Sequence, residues 1–317
     1  MRVSIIIPNY NGETLLRKNL KKIVEILHDF KMRLKHEVEL IIIDDASIDE
    51  SVSYVDSFIK QNKTDIAIHL QKNEKNSGFS PTVNKAVKSA TGDILYLLNS
   101  DVQPDKDFLE HILPHFEDKK VFAVGSMDKS AEDGKVVLRG RGIGRWQRGF
   151  LHHARGEVDK TNTLWVNGGS GAFRKEIWNK LSGFCELYKP YYYEDIDLSY
   201  RALKSGYNLI FEPKSVVIHE HEKGAIIKTQ SKKKVTTIAY RNQFIFVWLN
   251  ATDTDILLLH IVWFFYHVAK ALFRGDGAFF VGFVRAFIKL PNIIQLRLKA
   301  SRDFIRGDKE VVAAFTA

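Results

Sequence analysis

"ATGDILYLLNSDVQPD", residues 90–105, is the stretch on which the fold turns. Apolar residues run unbroken from Ile94 to Leu98, then give way to Asn99-Ser100-Asp101 and, at 104, a proline. A run of that length bounded by turn formers predicts a strand buried on both faces, with an amide and a carboxylate at its tip. Three earlier runs of the same kind occupy 3–7, 38–43 and 66–70. Helical patterns separate them. After the Asn11-Gly12 break, Leu15, Leu16, Leu20, Ile23, Val24 and Leu27 recur at helical spacing. "SIDE", residues 47–50, has capping-box spacing and predicts the next helix start. Ser80 as N-cap and Pro81 at the first helical position predict a third helix, ending near Thr91-Gly92. Strands alternating with helices imply an α/β fold, with a mostly parallel central sheet covered by helices on both faces. Ligands of such sheets sit at the carboxyl ends of the strands, where Asp44, Asp45, Asn99 and Asp101 gather.

Further along, "RGRGIGRWQRGFLHHARG" (139–156) mixes Gly and Arg too freely for a core element and predicts a long mobile loop. "WVNGGSGAF" (165–173) resumes a strand, its glycines placed where a backbone must come close to something. A helix is expected from about Glu194, stopped by Gly206, then a strand through Phe211 and a further one over "SVVIHEH" presenting His219 and His221. Beyond about 228 the composition changes. Lys232-Lys233-Lys234 precedes "ILLLHIVWFFYHVAKALF" and then "AFFVGFVRAFIKLP". His260, His267, Lys270 and Arg274 form one polar stripe on the first of these helices. Such C-terminal amphipathic helices suit a membrane interface with anionic headgroups; packing on the rest of the chain and true spanning are the other options.

Lys and Arg exceed Asp and Glu by nine, which suits an acidic partner such as a nucleotide or an anionic lipid face. A single cysteine, Cys185, rules out an intrachain disulfide framework and fits a reducing compartment. The first residues lack the long apolar core of a signal peptide, so a cytoplasmic location is expected.

Asn99 and Asp101 project to one side of an extended chain and offer the oxygen ligands that Mg²⁺ or Mn²⁺ prefers, though the same residues also make ordinary turns. Glu194, Asp195 and Asp197 sit at a helix start, where the macrodipole favours ionised carboxylates; capping is the plainer use. Taken together, "VSIIIPNYNG", "IIIDDASID", "NSGFSPTVNKAVKSATGDILYLLNSD", "NGGSGAFRKEIW" and "YYYEDIDLSYRALKSGY" resemble, in order and spacing, the family 2 inverting nucleotide-sugar glycosyltransferases of GT-A fold. Their rhamnosyltransferase-like branch is the nearest. The likeness covers 3 to about 221 and departs at the metal motif, where Asn99 replaces an acid.

The resemblance implies a catalytic domain over 1–228, with a nucleotide-binding half to about 101 and an acceptor half from 102, followed by a helical, membrane-associated region over 229–317. It implies that Pro8, Tyr10 and Asn11 line the nucleotide pocket, and that Asp45 or Asp44 meets the base or ribose. Asn76, Gly78, Asn84, Asn99 and Ser100 border the nucleotide. Asp101 and His219 hold a divalent cation, Mg²⁺ or Mn²⁺. Asp195 is the general base with Glu194 beside it, and Gly168, Gly169, Ser170 and Gly171 form the floor under donor sugar and acceptor. The implied activity is inverting transfer from a nucleotide-sugar donor to a hydroxyl of a saccharide acceptor, lipid-linked or part of a surface polysaccharide; the C-terminal helices add the expectation that it works at the inner face of the cytoplasmic membrane. A non-catalytic nucleotide-sugar-binding protein of the same fold is the alternative. A nicotinamide-binding enzyme is disfavoured because "PNYNGETLL" supplies one glycine where three are needed, and no nucleic-acid module is present.

Overall fold

The computed structural model describes residues 1–132, 135–219 and 231–315. His221 and the boundary expected at 228 lie outside the described residues. The N-terminal half runs β1 (Arg2–Asn9), α1 (Glu13–Leu34), β2 (Glu37–Asp44), α2 (Ser51–Gln61), β3 (Ala67–Lys72), α3 (Phe79–Ser89) and β4 (Ile94–Leu98). The second half adds β5 (Val102–Pro104), α4 (Phe108–Ile112), β6 (Val121–Glu132), β7 (Lys135–Arg139), β8 (Gly142–Gln147), β9 (Phe150–Arg155), β10 (Ser170–Arg174), α5 (Lys175–Lys180), α6 (Glu194–Lys204) and β11 (Asn208–His219). One sheet takes the order β3-β2-β1-β4-β10-β6-β11-β5, with β7 beside β6. β1 lies parallel to both β2 and β4, while β10 is antiparallel to β4 and β6.

Each side chain on β1 chooses a face by parity. Ile5 and Ile7 are buried with Leu16, Leu20 and Ile23 of α1, and Ile6 is buried with Val83 and Ala86 of α3. Because the chain order reverses between β1 and β4, their carboxyl ends leave a crevice at the switch point.

Two expectations change here. Residues 142–155 are not a mobile loop but a two-stranded hairpin, β8 paired with β9. Arg141, which leads into β8, is 3% exposed and commits its guanidinium to Asn162 and the Glu157 carbonyl. The strand through Phe211 and the one ending at His219 are also a single strand, β11, broken by a bulge: between Glu212 and Val216 it advances four residues while β6 advances one.

The C-terminal helices are α7 (Lys232–Asn250), α8 (Thr254–Arg274), α9 (Gly277–Ile288), α10 (Leu290–Ala300) and α11 (Asp308–Ala313). α7 is no appendage. Phe244, Ile245, Phe246 and Val247 are at most 1% exposed and belong to the same core as Ile6 and Leu97. α8 is long and apolar enough to cross a membrane, and it leaves Leu258, Ile261, Val262, Phe265 and Phe273 exposed.

Candidate active site

Asn9 and Asp44 are register partners at the carboxyl ends of β1 and β2. The Asn9 amide donates to Asp44 Oδ2 at 2.8 Å, and Ser47 donates to both Asp44 oxygens. Ser47 Oγ also accepts from the Asn11 N–H, so the expected capping box does not form; α2 starts at Ser51 instead, its approach held by Asp49. Asp45 acts at longer range. Its carboxylate accepts from the Ser77 and Gly78 N–H groups, each at 2.8 Å, and from the Asn73 amide. Those two N–H groups open α3, which therefore begins at Phe79 rather than after Ser80, with Gly78 at φ +88°. Asp44 and Asp45 are 2% and 5% exposed. Both carboxylates tie the protein's own loops into the crevice wall. Asn84 is likewise committed internally: it donates to the Phe184 carbonyl and Glu186, and accepts from the Phe184 N–H. Tyr10, Asn11 and Asn76 are exposed, and Pro8, Gly78, Asn99 and Ser100 are half-buried.

Asp101 follows the tip of β4, and His219 ends β11. His219 Nε2 lies 3.4 Å from Asp101 Oδ1, and Nδ1 lies 3.2 Å from Oδ2 of Asp128, a residue of β6 that carried no motif in the sequence. Burial opposes charge on this imidazole, but hydrogen bonds to Asp101 and then Asp128 outweigh it and lift the pKa to about 9. Among the described residues no group of three or more His, Cys, Asp or Glu side chains is arranged to hold a metal ion. The Asp101–His219 pair does fit two sites in a cation's shell. Ligand atoms about 2.1–2.2 Å from one ion, at roughly 90–110° to each other, stand about 3.0–3.6 Å apart.

Asp195 opens α6 beside the glycine floor. Its Oδ2 accepts from the Gly168 N–H at 3.3 Å and its Oδ1 from the Ile196 N–H at 2.8 Å. Burial raises its pKa despite those bonds. Glu194, 7% exposed, is pushed up by burial and then by the Asp195 charge, and its Oε2 has no hydrogen-bond partner among the described residues. The floor joins the two carboxylate centres. Asn99 N–H donates to the Gly169 carbonyl at 2.9 Å, and a Cβ on Gly169 would strike the Asn99 amide. Asp195, Gly168-Gly169, Asn99, Asp101 and His219 are thus one continuous rim. Asn167, not singled out beforehand, fixes that floor by accepting from the Gly169 N–H.

His153 of β9 meets Trp165 and Tyr193 edge to face at 5.5 and 5.2 Å. The hairpin tip rests on α8: His260 donates from Nδ1 to the Gly149 carbonyl and accepts at Nε2 from Trp248, while His267 donates to the Arg148 carbonyl. Of the polar stripe expected to face headgroups, those two histidines therefore face the hairpin, and Lys270 and Arg274 are left exposed.

The site thus combines a crevice at the carboxyl ends of parallel strands, a carboxylate–imidazole pair and two buried acids at a helix start. The family model for glycosyl transferase family 2 matches residues 4–182, and the chain belongs to that family. It is 26% identical over 223 residues to the O-antigen chain rhamnosyltransferase WbaN of Salmonella anatum, covering 69% of this chain and 66% of that one. The chain spans two thirds or less of the length of the curated relatives it matches. Among solved structures it resembles the mannosyltransferase PcManGT from Pyrobaculum calidifontis in complex with GDP-Man and Mn²⁺, at TM-score 0.57 and 19% identity, covering 95% of this chain and 79% of that one. Staphylococcus aureus TarS 1–349 with UDP-GlcNAc gives TM-score 0.57 and 15% identity, covering 99% and 91%. These likenesses carry the GT-A fold.

Proposed function

We propose that the protein transfers a sugar from a nucleotide-diphosphate donor to an acceptor hydroxyl, inverting the anomeric centre in one displacement. The observation that carries this reading is the rim itself, where Asp195 and the Asp101–His219 pair are joined through the two ends of one glycine floor. Tyr10, Asn11, Asn76 and the Gly78 backbone would border the nucleotide. Asp101 and His219 would hold Mg²⁺ or Mn²⁺, whose chemistry when bound is to neutralise the diphosphate that departs. Asp195 takes the proton from the attacking hydroxyl. Its carboxylate is oriented by two backbone N–H groups, and its raised pKa makes it a stronger base than an exposed aspartate. Glu194, held neutral by burial and by its neighbour, leaves that charge on Asp195.

The acceptor in this reading is a saccharide presented at the inner face of the cytoplasmic membrane. Fifteen of the twenty-five exposed large apolar side chains among the described residues fall between Leu258 and Leu298. From Ile256 to Ala300 there are six Lys and Arg and one acid, Asp276, which is occupied by Tyr240 and the cap of α9. An apolar face rimmed by cations matches an anionic lipid surface.

A thermal-shift screen of UDP-, dTDP- and GDP-sugars with Mg²⁺ or Mn²⁺ identifies the donor, because bound ligand raises apparent stability. With that donor, Asp195→Asn is expected to lower kcat by roughly 10²–10⁴-fold while donor binding by calorimetry is unchanged. Turnover near that of the wild type in the folded variant would end the base assignment.

A further inference from the structure

A metal-bound imidazole is only as well aimed as the group on its other nitrogen, which fixes the tautomer and the ring plane. His219 has such a group. Asp128 Oδ2 lies 3.2 Å from Nδ1, on the opposite side of the ring from the Nε2 that faces Asp101. Asp128 is 4% exposed, and its second oxygen accepts from Ser130 Oγ at 2.7 Å. Ser130 is the residue directly opposite His219 in the β6–β11 register. The bulge between Glu212 and Val216 creates this alignment. It puts three extra residues into β11, an odd number, so the strand beyond it changes face relative to β6. Without the bulge, continued pairing would set His219 against a position three residues further along β6.

We infer that Asp128 is a positioning residue for the cation site: it accepts the Nδ1–H of His219, so that Nε2, beside Asp101, is the nitrogen that exchanges its proton for the cation, and it is itself oriented by Ser130. This rests on Asp101 and His219 being the cation ligands. It adds what their identity alone does not say, namely which nitrogen binds and what holds it there. Asp128 is 4% exposed and lies behind the His219 ring from Asp101, so its effect is read in metal affinity.

The test uses the full chain and Mn²⁺ alone, titrated while the free aquo ion is followed by electron paramagnetic resonance. Asp128→Asn keeps the side-chain shape but loses the charge, and is expected to weaken Mn²⁺ binding by roughly 10–100-fold with little change in melting temperature. Ser130→Ala is expected to weaken it by a smaller factor. In the wild-type protein with Mg²⁺, the ¹⁵N spectrum should show His219, assigned by its loss in His219→Ala, as the Nδ1–H tautomer. That measurement stands even if Asp128→Asn does not fold. Wild-type Mn²⁺ affinity in a folded Asp128→Asn, or an Nε2–H tautomer with Mg²⁺ present, overturns the inference. His219→Ala separates the two levels. If it binds Mn²⁺ as the wild type does, the ligand assignment itself has failed; if it loses binding while Asp128→Asn does not, only the positioning role has.

Discussion

Burial sets the ionisation of the two adjacent acids at the head of α6, and it does so at a cost. Glu194 Oε2 finds no partner among the described residues, and burial followed by the Asp195 charge raises its pKa. A carboxyl whose folded pKa exceeds its unfolded value of about 4.3 binds more protons in the native state, so its contribution to stability declines as pH rises above that value. Glu194→Gln removes the titration. In thermal melts from about pH 5 to pH 8, the wild type should lose stability relative to the variant as pH increases. Parallel curves would refute the burial account. The same reasoning applies to rate. With Asp195 raised by burial, the acid limb of kcat should lie above the roughly 3.9 of an ordinary aspartate. Both residues were legible in the sequence as a motif. Asp128 was not, because its partner is 91 residues away and only the register of β6 with β11 brings them together. Asp44 and Asp45 were legible as strand-end acids, but the loops that they hold were not. What an acid accepts depends on the loops that reach it, and these are reached by Ser47, Ser77 and Gly78.

The helix that carries Asp195 is clamped along its length, in part by the C-terminal segments. Asp197 accepts from Tyr188 Oη, Asn250 Nδ2 and Arg201 Nε within 2.8–3.0 Å. At the far end, Lys204 Nζ lies 2.8 Å from Asp308 Oδ1, with both side chains fully buried. Tyr200 donates to the same Asp308 and accepts from Trp146 of the hairpin. Asp308→Ala would leave the Lys204 ammonium buried and uncompensated, and should cost about 3–5 kcal/mol in urea unfolding. A loss under 1 kcal/mol would show that the pair is relaxed by solvent. Elements were read well where periodicity decides them: β1 to β4 and α6 fall where the apolar runs and the Gly206 stop place them, with Gly206 at φ +85°. The β8–β9 hairpin is not legible in the sequence because its apolar residues Ile143, Trp146, Phe150 and Leu151 are interspersed with glycines and arginines.

At the scale of the whole molecule, α7 belongs to the core while α8, α9 and α10 turn apolar side chains outward. Truncation near residue 228 is therefore not a test of membrane binding, since it removes Phe244 to Val247 from the core. Point changes are cleaner. Phe265 and Phe273 are 69% and 93% exposed, so Phe265→Glu with Phe273→Glu should fold and melt as the wild type does. In flotation with vesicles containing anionic lipid, the wild type should float, less so as salt is raised, and the double variant should remain below. Equal flotation of the two would remove this face from the membrane proposal.

By itself the sequence determined the α/β class, the four N-terminal strands and the chemistry available at their tips. These follow from local periodicity and from polar residues that end apolar runs, and neither needs a distant partner. Only the tertiary structure decided which acids are free to act, which nitrogen of His219 faces Asp101, and that the histidines of α8 hold a hairpin rather than headgroups. Those outcomes are set by strand register, by an odd-numbered bulge and by contacts between residues far apart in the chain, where the free energy of burial is shared among segments that no local pattern connects.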